Sequence, residues 1–241
     1  AAGVGGGSRV KLRPGRQYVH DANVSLRRVA QDASGAHFLL KNNAGFLVGA
    51  DCGFISDGNT LIQCESGYAG TVFKRDPAEP GTVRFNMAGT TIIIRLGSPD
   101  RTRGIGIDFT GFHRSKVDVE VRNMLYGAYT HPTAANLQTY YNRLDVRVQQ
   151  VGIGLFFRTT TFQLCNGNTA WLSAATVENV LKFWAEGPSA GPSANTVILS
   201  YGENFSDAGI VLDGNVRHKR VIGGILEESR GNNAPRIRGK K

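Results

Sequence analysis

Cysteine is scarce in this chain, with Cys52, Cys64 and Cys165 as the three occurrences in 241 residues. Because three is an odd number, at least one thiol stays unpaired under any disulfide scheme, and no CxxC or Cys/His spacing provides a zinc site. Cysteine is usually buried in folded proteins, so we predict three buried free thiols. The aspartates lack the spacing of a calcium-binding loop. We therefore predict no structural metal and no cofactor.

Long apolar runs are also lacking. No stretch of about eighteen apolar residues is present, which argues against insertion into a membrane. The chain opens at Ala1 without a basic and then apolar leader, so we expect a truncated or processed start. Stretches that favour helix are few, aromatic residues make up 9% of the chain, and there are 31 glycines. This composition is typical of a folded chain with many tight turns rather than of a disordered one.

Acidic residues are the minority among the charges, with 19 Asp and Glu against 28 Lys and Arg, a net charge of +9. Such a balance suits a partner rich in phosphate, carboxylate or sulfate. The cations are scattered, however, and four of them stand within residues 236–241. No helix-turn-helix, RNA-recognition or zinc-finger pattern accompanies them, so a nucleic-acid partner is disfavoured.

Alternating apolar residues are abundant, and the alternation returns about every 25 residues. The runs begin at Ile92, Val117, Leu144, Leu172, Val197 and Val221, which are 25, 27, 28, 25 and 24 residues apart. Alternation of this kind predicts half-buried strands. Short strands between glycine-rich bends cannot bury their inner faces alone, but stacked units can bury a continuous column. We predict an all-β parallel β-helix over residues 1–235, less regular in 1–91 and regular in 92–235, followed by a basic tail at 236–241.

Four segments carry a resemblance to a known family: GGGSRVKLRPGRQY at 5–18, RGIGIDFTGF at 103–112, SKVDVEVRN at 115–123 and DAGIVLDGN at 207–215. They resemble coils of the pectin-lyase-like right-handed single-stranded β-helices, especially bacteriophage tailspikes and their polysaccharide depolymerase relatives. The resemblance covers nearly the whole chain. It implies a homotrimer on the virion tail, extracellular and in contact with other tail proteins. No capping helix precedes Val10 or follows Ile225, so we expect neighbouring chains, or further parts of a longer protein, to cover the open ends.

The function implied by the resemblance is a receptor-binding tailspike that recognises, with or without cleavage, a bacterial surface polysaccharide. A non-catalytic virion fibre or decoration protein and a secreted polysaccharide lyase or hydrolase remain as alternatives. The missing leader and the uncovered ends weigh against the secreted enzyme. The Asn-Thr-Asp, Asp-Asp, Gly-His-Gly and Arg-x-Lys motifs of the polygalacturonase branch are absent in order. Whether the chain is an enzyme therefore stays open.

Alignment of the repeats predicts candidate catalytic residues, because equivalent residues of consecutive coils lie about 4.8 Å apart. It places Asp118 beside Asp145, and Arg95, Glu120 and Arg147 in the neighbouring row. Adjacent carboxylates disfavour joint ionisation, which can raise one pKa and create an acid beside a base. A hydrolase would use Asp118 and Asp145 in these roles, with Glu120 as a further candidate. A lyase would use a base and Arg147 to neutralise a uronate, and a merely solvated sheet face is the third interpretation.

Aromatic and basic residues predict a rim that binds glycan, because aromatic rings stack on sugars and arginine binds acidic groups. The candidates for substrate binding are Arg95, Arg147, His113, Arg114, Tyr140, Tyr141 and Arg143. We expect Trp171 to face outward and Trp184 to pack near Phe183. Asparagines near the bends are expected to form turns and to stack partly as ladders; these are Asn123, Asn166, Asn179, Asn204 and Asn215.

Overall fold

The computed structural model describes residues 8–56, 58–94, 101–134, 137–160, 162–186, 191–214, 216, 219–228 and 237–240. All named elements in these ranges are strands. In chain order they are β1 (Ser8–Lys11), β2 (Gln17–His20), β3 (Val24–Leu26), β4 (Val29–Asp32), β5 (His37–Leu40), β6 (Phe46–Val48), β7 (Cys52–Ile55), β8 (Thr60–Cys64), β9 (Thr71–Arg75), β10 (Phe85–Ile94), β11 (Ile105–Asp108), β12 (Lys116–Arg122), β13 (Tyr126–Thr130), β14 (Thr139–Tyr140), β15 (Arg143–Gln149), β16 (Ile153–Thr159), β17 (Phe162–Asn166), β18 (Thr169–Ala175), β19 (Asn179–Ala185), β20 (Gly191–Ser193), β21 (Thr196–Phe205), β22 (Ala208–Asp213), β23 (Arg220–Ile222), β24 (Ile225–Glu228) and β25 (Ile237–Lys240).

The strands stack into three sheets that wrap one interior. The first sheet follows the order β1-β4-β7-β10-β12-β15-β18-β21-β23, joined by β2, β5, β8 and β24. The second follows β25-β22-β19-β16-β13-β11-β9-β6-β3, and the third is β14-β17-β20. Neighbouring strands are separated in the chain by a whole coil and pair in parallel, as β12 does with β15 and β16 with β19. The predicted fold class is confirmed: the protein is an all-β parallel β-solenoid.

The strand register agrees with the sequence alignment in part. Val117 pairs with Leu144 and Val197 with Val221, as predicted. The predicted pairing of Ile92 with Val117 is wrong, because Ile92 pairs with Val121. The apolar alternation of β10 begins before Ile92, because Met87 is the partner of Val117, and one extra residue of β10 lies between Met87 and Thr90, beside Gly89 with φ +57°. Such an insertion displaces every later residue of the strand relative to its neighbour.

A second error in the predicted register lies at β18. Leu172 pairs with Val146 rather than with Leu144, whose partner is Ala170. The residue beside Asp145 is therefore Trp171, where the alignment placed Ser173. Alanine at position 170 is fully buried, so the apolar run of β18 begins two residues earlier than Leu172.

The interior is a continuous apolar column. Val119, Val146 and Leu172 are fully buried on adjacent strands of the first sheet. Opposite them, Phe157 and Phe183 stack with ring centroids 5.0 Å apart. All three cysteines are free and buried, as predicted, and burial raises the pKa of the Cys165 thiol to about 12. A thiol with so high a pKa is a packing residue rather than a nucleophile.

A ladder of buried asparagines runs along one corner of the solenoid. The Asn142 side-chain Nδ2 donates to Asn168 Oδ1 at 2.9 Å, and Asn168 Nδ2 donates to Asn195 Oδ1 at 2.8 Å. These asparagines differ from those expected to form ladders. Of the expected set, Asn123 has φ 60° in the bend after β12, and Asn204 has φ 52° at a register shift within β21, whereas Asn179 donates to Asp207. Asn215 lies outside the described residues.

The last coil leaves apolar side chains in contact with solvent. Ile225 is 61% exposed and Ile237 is 63% exposed. Within the expected basic tail, residues 237–240 form β25, which pairs with β22. Nothing in the described part of the chain is a helix that is both long and apolar enough to cross a membrane.

Candidate functional site

The outer face of the first sheet carries two adjacent rows of polar and aromatic side chains. Alternation buries every second residue of β12 and β15 and turns the others outward. One row contains Asp118, Asp145 and Trp171, which are register partners on β12, β15 and β18. The next row contains Glu120 and Arg147, followed by Ser173. The sheet thus presents carboxylates, a guanidinium group and an indole ring side by side.

Asp118 and Asp145 are direct neighbours, as the sequence predicted. Their surroundings are unequal. Arg147 Nη2 donates to Asp118 Oδ1 at 2.5 Å, which offsets the negative charge of Asp118. Desolvation and the nearby Asp118 raise the pKa of the Asp145 carboxyl, against the opposing effect of Arg147 and Arg143. The arrangement places a carboxyl whose pKa is raised beside a carboxylate bound by arginine, and acid–base chemistry uses two carboxyl groups in unlike surroundings.

Glu120 shares the outer face of β12 with Asp118 but has a partner of its own. Arg122 Nε donates to Glu120 Oε1 at 2.6 Å. The position before Glu120 in its row is held by Thr91 rather than by Arg95, so the predicted row is wrong at that point. Arg95 itself lies outside the described residues. The charged residues that the structure places in this row are therefore Glu120 and Arg147.

An aromatic platform adjoins the carboxylates. The guanidinium carbon of Arg143 lies 4.5 Å from the ring centroid of Trp171. Trp171 faces outward, as predicted, and occupies the position next to Asp145 on the following strand. A guanidinium over an indole face is a favourable cation–π contact that orders both groups. An indole ring in this position is able to stack against the apolar face of a sugar.

The predicted basic and aromatic corner residues come together in the structure. The rings of His113 and Tyr140 stack with centroids 5.6 Å apart, and Tyr140 meets Tyr141 edge-on at 5.3 Å. Tyr141 is 61% exposed, and its ring lies so close to Gly167 that a Cβ there would approach it to 2.8 Å. Burial, followed by the neighbouring charge of Arg114, lowers the pKa of His113. The corner precedes Arg143 in the chain, which links it to the carboxylate row.

The raised pKa of Asp145 predicts how the stability of the fold depends on pH. Because the pKa of Asp145 is raised in the folded chain, its contribution to stability is present at low pH and is lost as the pH rises through that pKa. Asp145→Asn should therefore raise the melting temperature at pH 7.5, by up to about 2 °C for so exposed a group, and have no such effect at pH 3. Thermal unfolding of both proteins at both pH values measures this.

The matched control for that experiment is Asp118→Asn, which removes the partner of Arg147 and should leave the melting temperature unchanged or lower it. A stabilisation of equal size from both substitutions at pH 7.5 would contradict the asymmetry between the two carboxylates.

Sequence reasoning missed an aromatic cluster on the outer face of the second sheet. Tyr126 and Tyr129 stack at 4.9 Å, and Phe156 lies within 5.6 Å of both rings. Trp184 lies parallel to Phe156 at 6.3 Å with the Arg158 guanidinium 4.6 Å from its ring, so it faces away from Phe183 and the expected packing is wrong. The repeat in the sequence could have predicted part of this cluster, because Tyr129 and Phe156 lie at equivalent positions of consecutive coils and pair in register.

Across the residues that the structure describes, no group of three or more His, Cys, Asp or Glu side chains is placed to hold a metal ion. The outer face of the first sheet offers carboxylates, guanidinium groups and aromatic rings. No protein-family model, curated protein or solved structure significantly matches the chain.

Proposed function

We propose that the protein binds a polysaccharide along the outer face of β12, β15 and β18 and cleaves its glycosidic bonds by hydrolysis. The observation that carries this proposal is the pairing of Asp118 with Asp145 in unequal surroundings, beside the outward-facing, half-buried indole of Trp171. A pair of carboxyl groups in unlike surroundings is the minimum that most glycoside hydrolases require. The parallel β-solenoid supports the proposal by presenting a long, regular face.

The roles follow from the surroundings of each carboxyl group. Asp145 donates its proton to the glycosidic oxygen as that oxygen leaves, because its pKa is raised. Asp118, bound by Arg147, attacks the anomeric carbon through its carboxylate oxygen and forms a glycosyl ester. Asp145 then takes a proton from the water that cleaves this ester, which restores both groups. Strand spacing of about 4.8 Å favours this retaining route, which uses carboxyl groups about 5–5.5 Å apart.

In its finer form, the proposal is that the protein is a bacteriophage tailspike that acts on a bacterial surface polysaccharide. The resemblance of its coils to tailspike coils supports this assignment. The exposed Ile225 and Ile237 of the last coil support assembly with neighbouring chains, including the expected homotrimer and other tail proteins. A non-catalytic virion fibre would share this surface but would not need the asymmetry of Asp118 and Asp145.

Incubation with capsule and lipopolysaccharide preparations from a panel of bacteria tests the proposal. We expect a subset of these glycans to bind and to be cleaved with the release of reducing ends and without the ultraviolet absorbance of unsaturated uronates. Binding without cleavage would identify the non-catalytic fibre. Unsaturated products would identify a lyase, and absence of binding to every preparation would contradict the proposal as a whole.

A further inference from the structure

A shallow groove of about 390 Å³ lies on the outer face of the first sheet, beside the Asp118 and Asp145 pair. Its floor is formed by Ser173 and Ala175 of β18. Its lining also includes Glu120, Arg122, Arg147, Val148, Gln149, Tyr201 and Glu203. Neither the groove nor the position of Tyr201 in it follows from the repeat pattern alone.

The groove exists because small residues separate longer ones. Ser173 lies between Arg147 and Tyr201 in register, and the next outward residue, Ala175, lies between Gln149 and Glu203. The walls stand on strands two spacings apart, a distance of about 9.6 Å between backbones. This width admits a single sugar ring. Trp171 stands on the same strand as the floor, so a ring in the groove would be continuous with one that contacts the indole.

The charges in the groove offset one another. Arg122 and Arg147 contribute two positive charges and Glu120 and Glu203 two negative charges, so the lining has a net charge of 2 − 2 = 0. Both guanidinium groups already bind carboxylates, Arg122 that of Glu120 and Arg147 that of Asp118. A uronate would have to compete with these contacts and would approach Glu203 as well. Hydroxyl groups, in contrast, can donate to carboxylates and accept from guanidinium or amide groups without a charge penalty.

We propose that this groove binds one uncharged, hydroxyl-rich sugar residue of the polysaccharide, and that Ser173 and Ala175 set the size of residue it accepts. The inference rests on the proposed function and assigns the substrate class of the same face. It also favours hydrolysis, because elimination requires a uronate whose carboxylate is neutralised by a cation.

Filling the groove tests the inference without disturbing the interior. Ala175→Phe and Ser173→Phe place a bulky ring on an outward strand position, where aromatic residues are well tolerated. Each should weaken binding of the glycan by at least about tenfold, with the melting temperature unchanged. Asn86→Phe, an equivalent addition at an exposed position on β10 of the same sheet, is the matched control and should bind like the wild type.

The chemistry of the bound residue is tested with an array of bacterial polysaccharides of known composition. We expect the tightest ligands to contain an uncharged hexose, and their affinity to change less than about twofold between 0.05 and 0.5 M salt, because screening weakens ionic contacts but not neutral hydrogen bonds. Two results would overturn the inference while the proposed function stands. One is that Ala175→Phe binds the glycan as tightly as the wild type does, and the other is that tight binding is confined to polymers made of uronates alone. Binding to no glycan would overturn the proposed function itself.

Discussion

The double substitution Asp118→Asn with Asp145→Asn should lower the rate of glycosidic cleavage by at least about 10³-fold while glycan binding persists. An amide can neither donate the proton that Asp145 supplies nor attack the anomeric carbon as Asp118 does. Both side chains stand on the outer face, so the interior beneath them is untouched. Initial rates of reducing-end release, measured beside the dissociation constant of the same glycan, separate catalysis from binding.

Glu120→Gln is the matched control for the double variant. Glu120 lies on the same strand face, two residues from Asp118, and is bound by Arg122. We assign it to the groove wall, so its substitution should change the rate by less than about tenfold. Because Asp118 and Asp145 act as a unit, each single variant should lose nearly as much activity as the double variant. Cleavage that continues unchanged in the double variant would show that the site lies elsewhere.

Asn168→Ala should destabilise the fold by about 3–5 kcal/mol, because several buried groups lose their partners at once. Asn168 is 1% exposed. Its Oδ1 accepts from both the backbone and the side-chain nitrogen of Asn142, and its Nδ2 donates to Thr139 O and Asn195 Oδ1. Alanine offers none of these contacts, and Asn142, Asn168 and Asn195 are all buried from the surface. The midpoint of denaturant-induced unfolding measures the loss.

Asn86→Ala is the control for the asparagine ladder, because Asn86 is exposed on the outer face of β10. Its substitution should change stability by less than about 0.5 kcal/mol. Equal midpoints for Asn168→Ala and the wild type would mean that the ladder contributes nothing to the stability of the corner.

The pairing of Asp118 with Asp145 was predictable because β12 and β15 match residue for residue without insertion. The alignment failed at β10, where the apolar alternation begins before Ile92, so that Met87 is the partner of Val117 and Ile92 lies four residues from its predicted partner, beside Val121. Alternation alone does not reveal such a shift, since the apolar pattern resumes after it. At β18 the start of the apolar run was ambiguous in the sequence, because either Ala170 or Leu172 could be its first inward residue. In the structure both are fully buried.

The asparagine ladder and the groove were harder to foresee. Asn142, Asn168 and Asn195 lie 26 and 27 residues apart, but other asparagines near bends have similar spacing. Only the three-dimensional corner shows which of them point inward and share hydrogen bonds. The groove depends on the heights of side chains from three strands, and a shift of two residues would replace Ser173 with Trp171 on its floor.

By itself, the sequence determined which side chains of β12, β15 and β18 face the interior and which face outward. The errors at β10 and β18 were shifts of four and two residues, and an even shift preserves the side of a strand on which a residue lies, because side chains alternate with a period of two. Trp171 and Arg147 were therefore correctly placed outside. Only the tertiary structure decided which outward residues are neighbours, because bulges and the lengths of the bends set the register between coils. The apolar alternation in the sequence reveals neither of them.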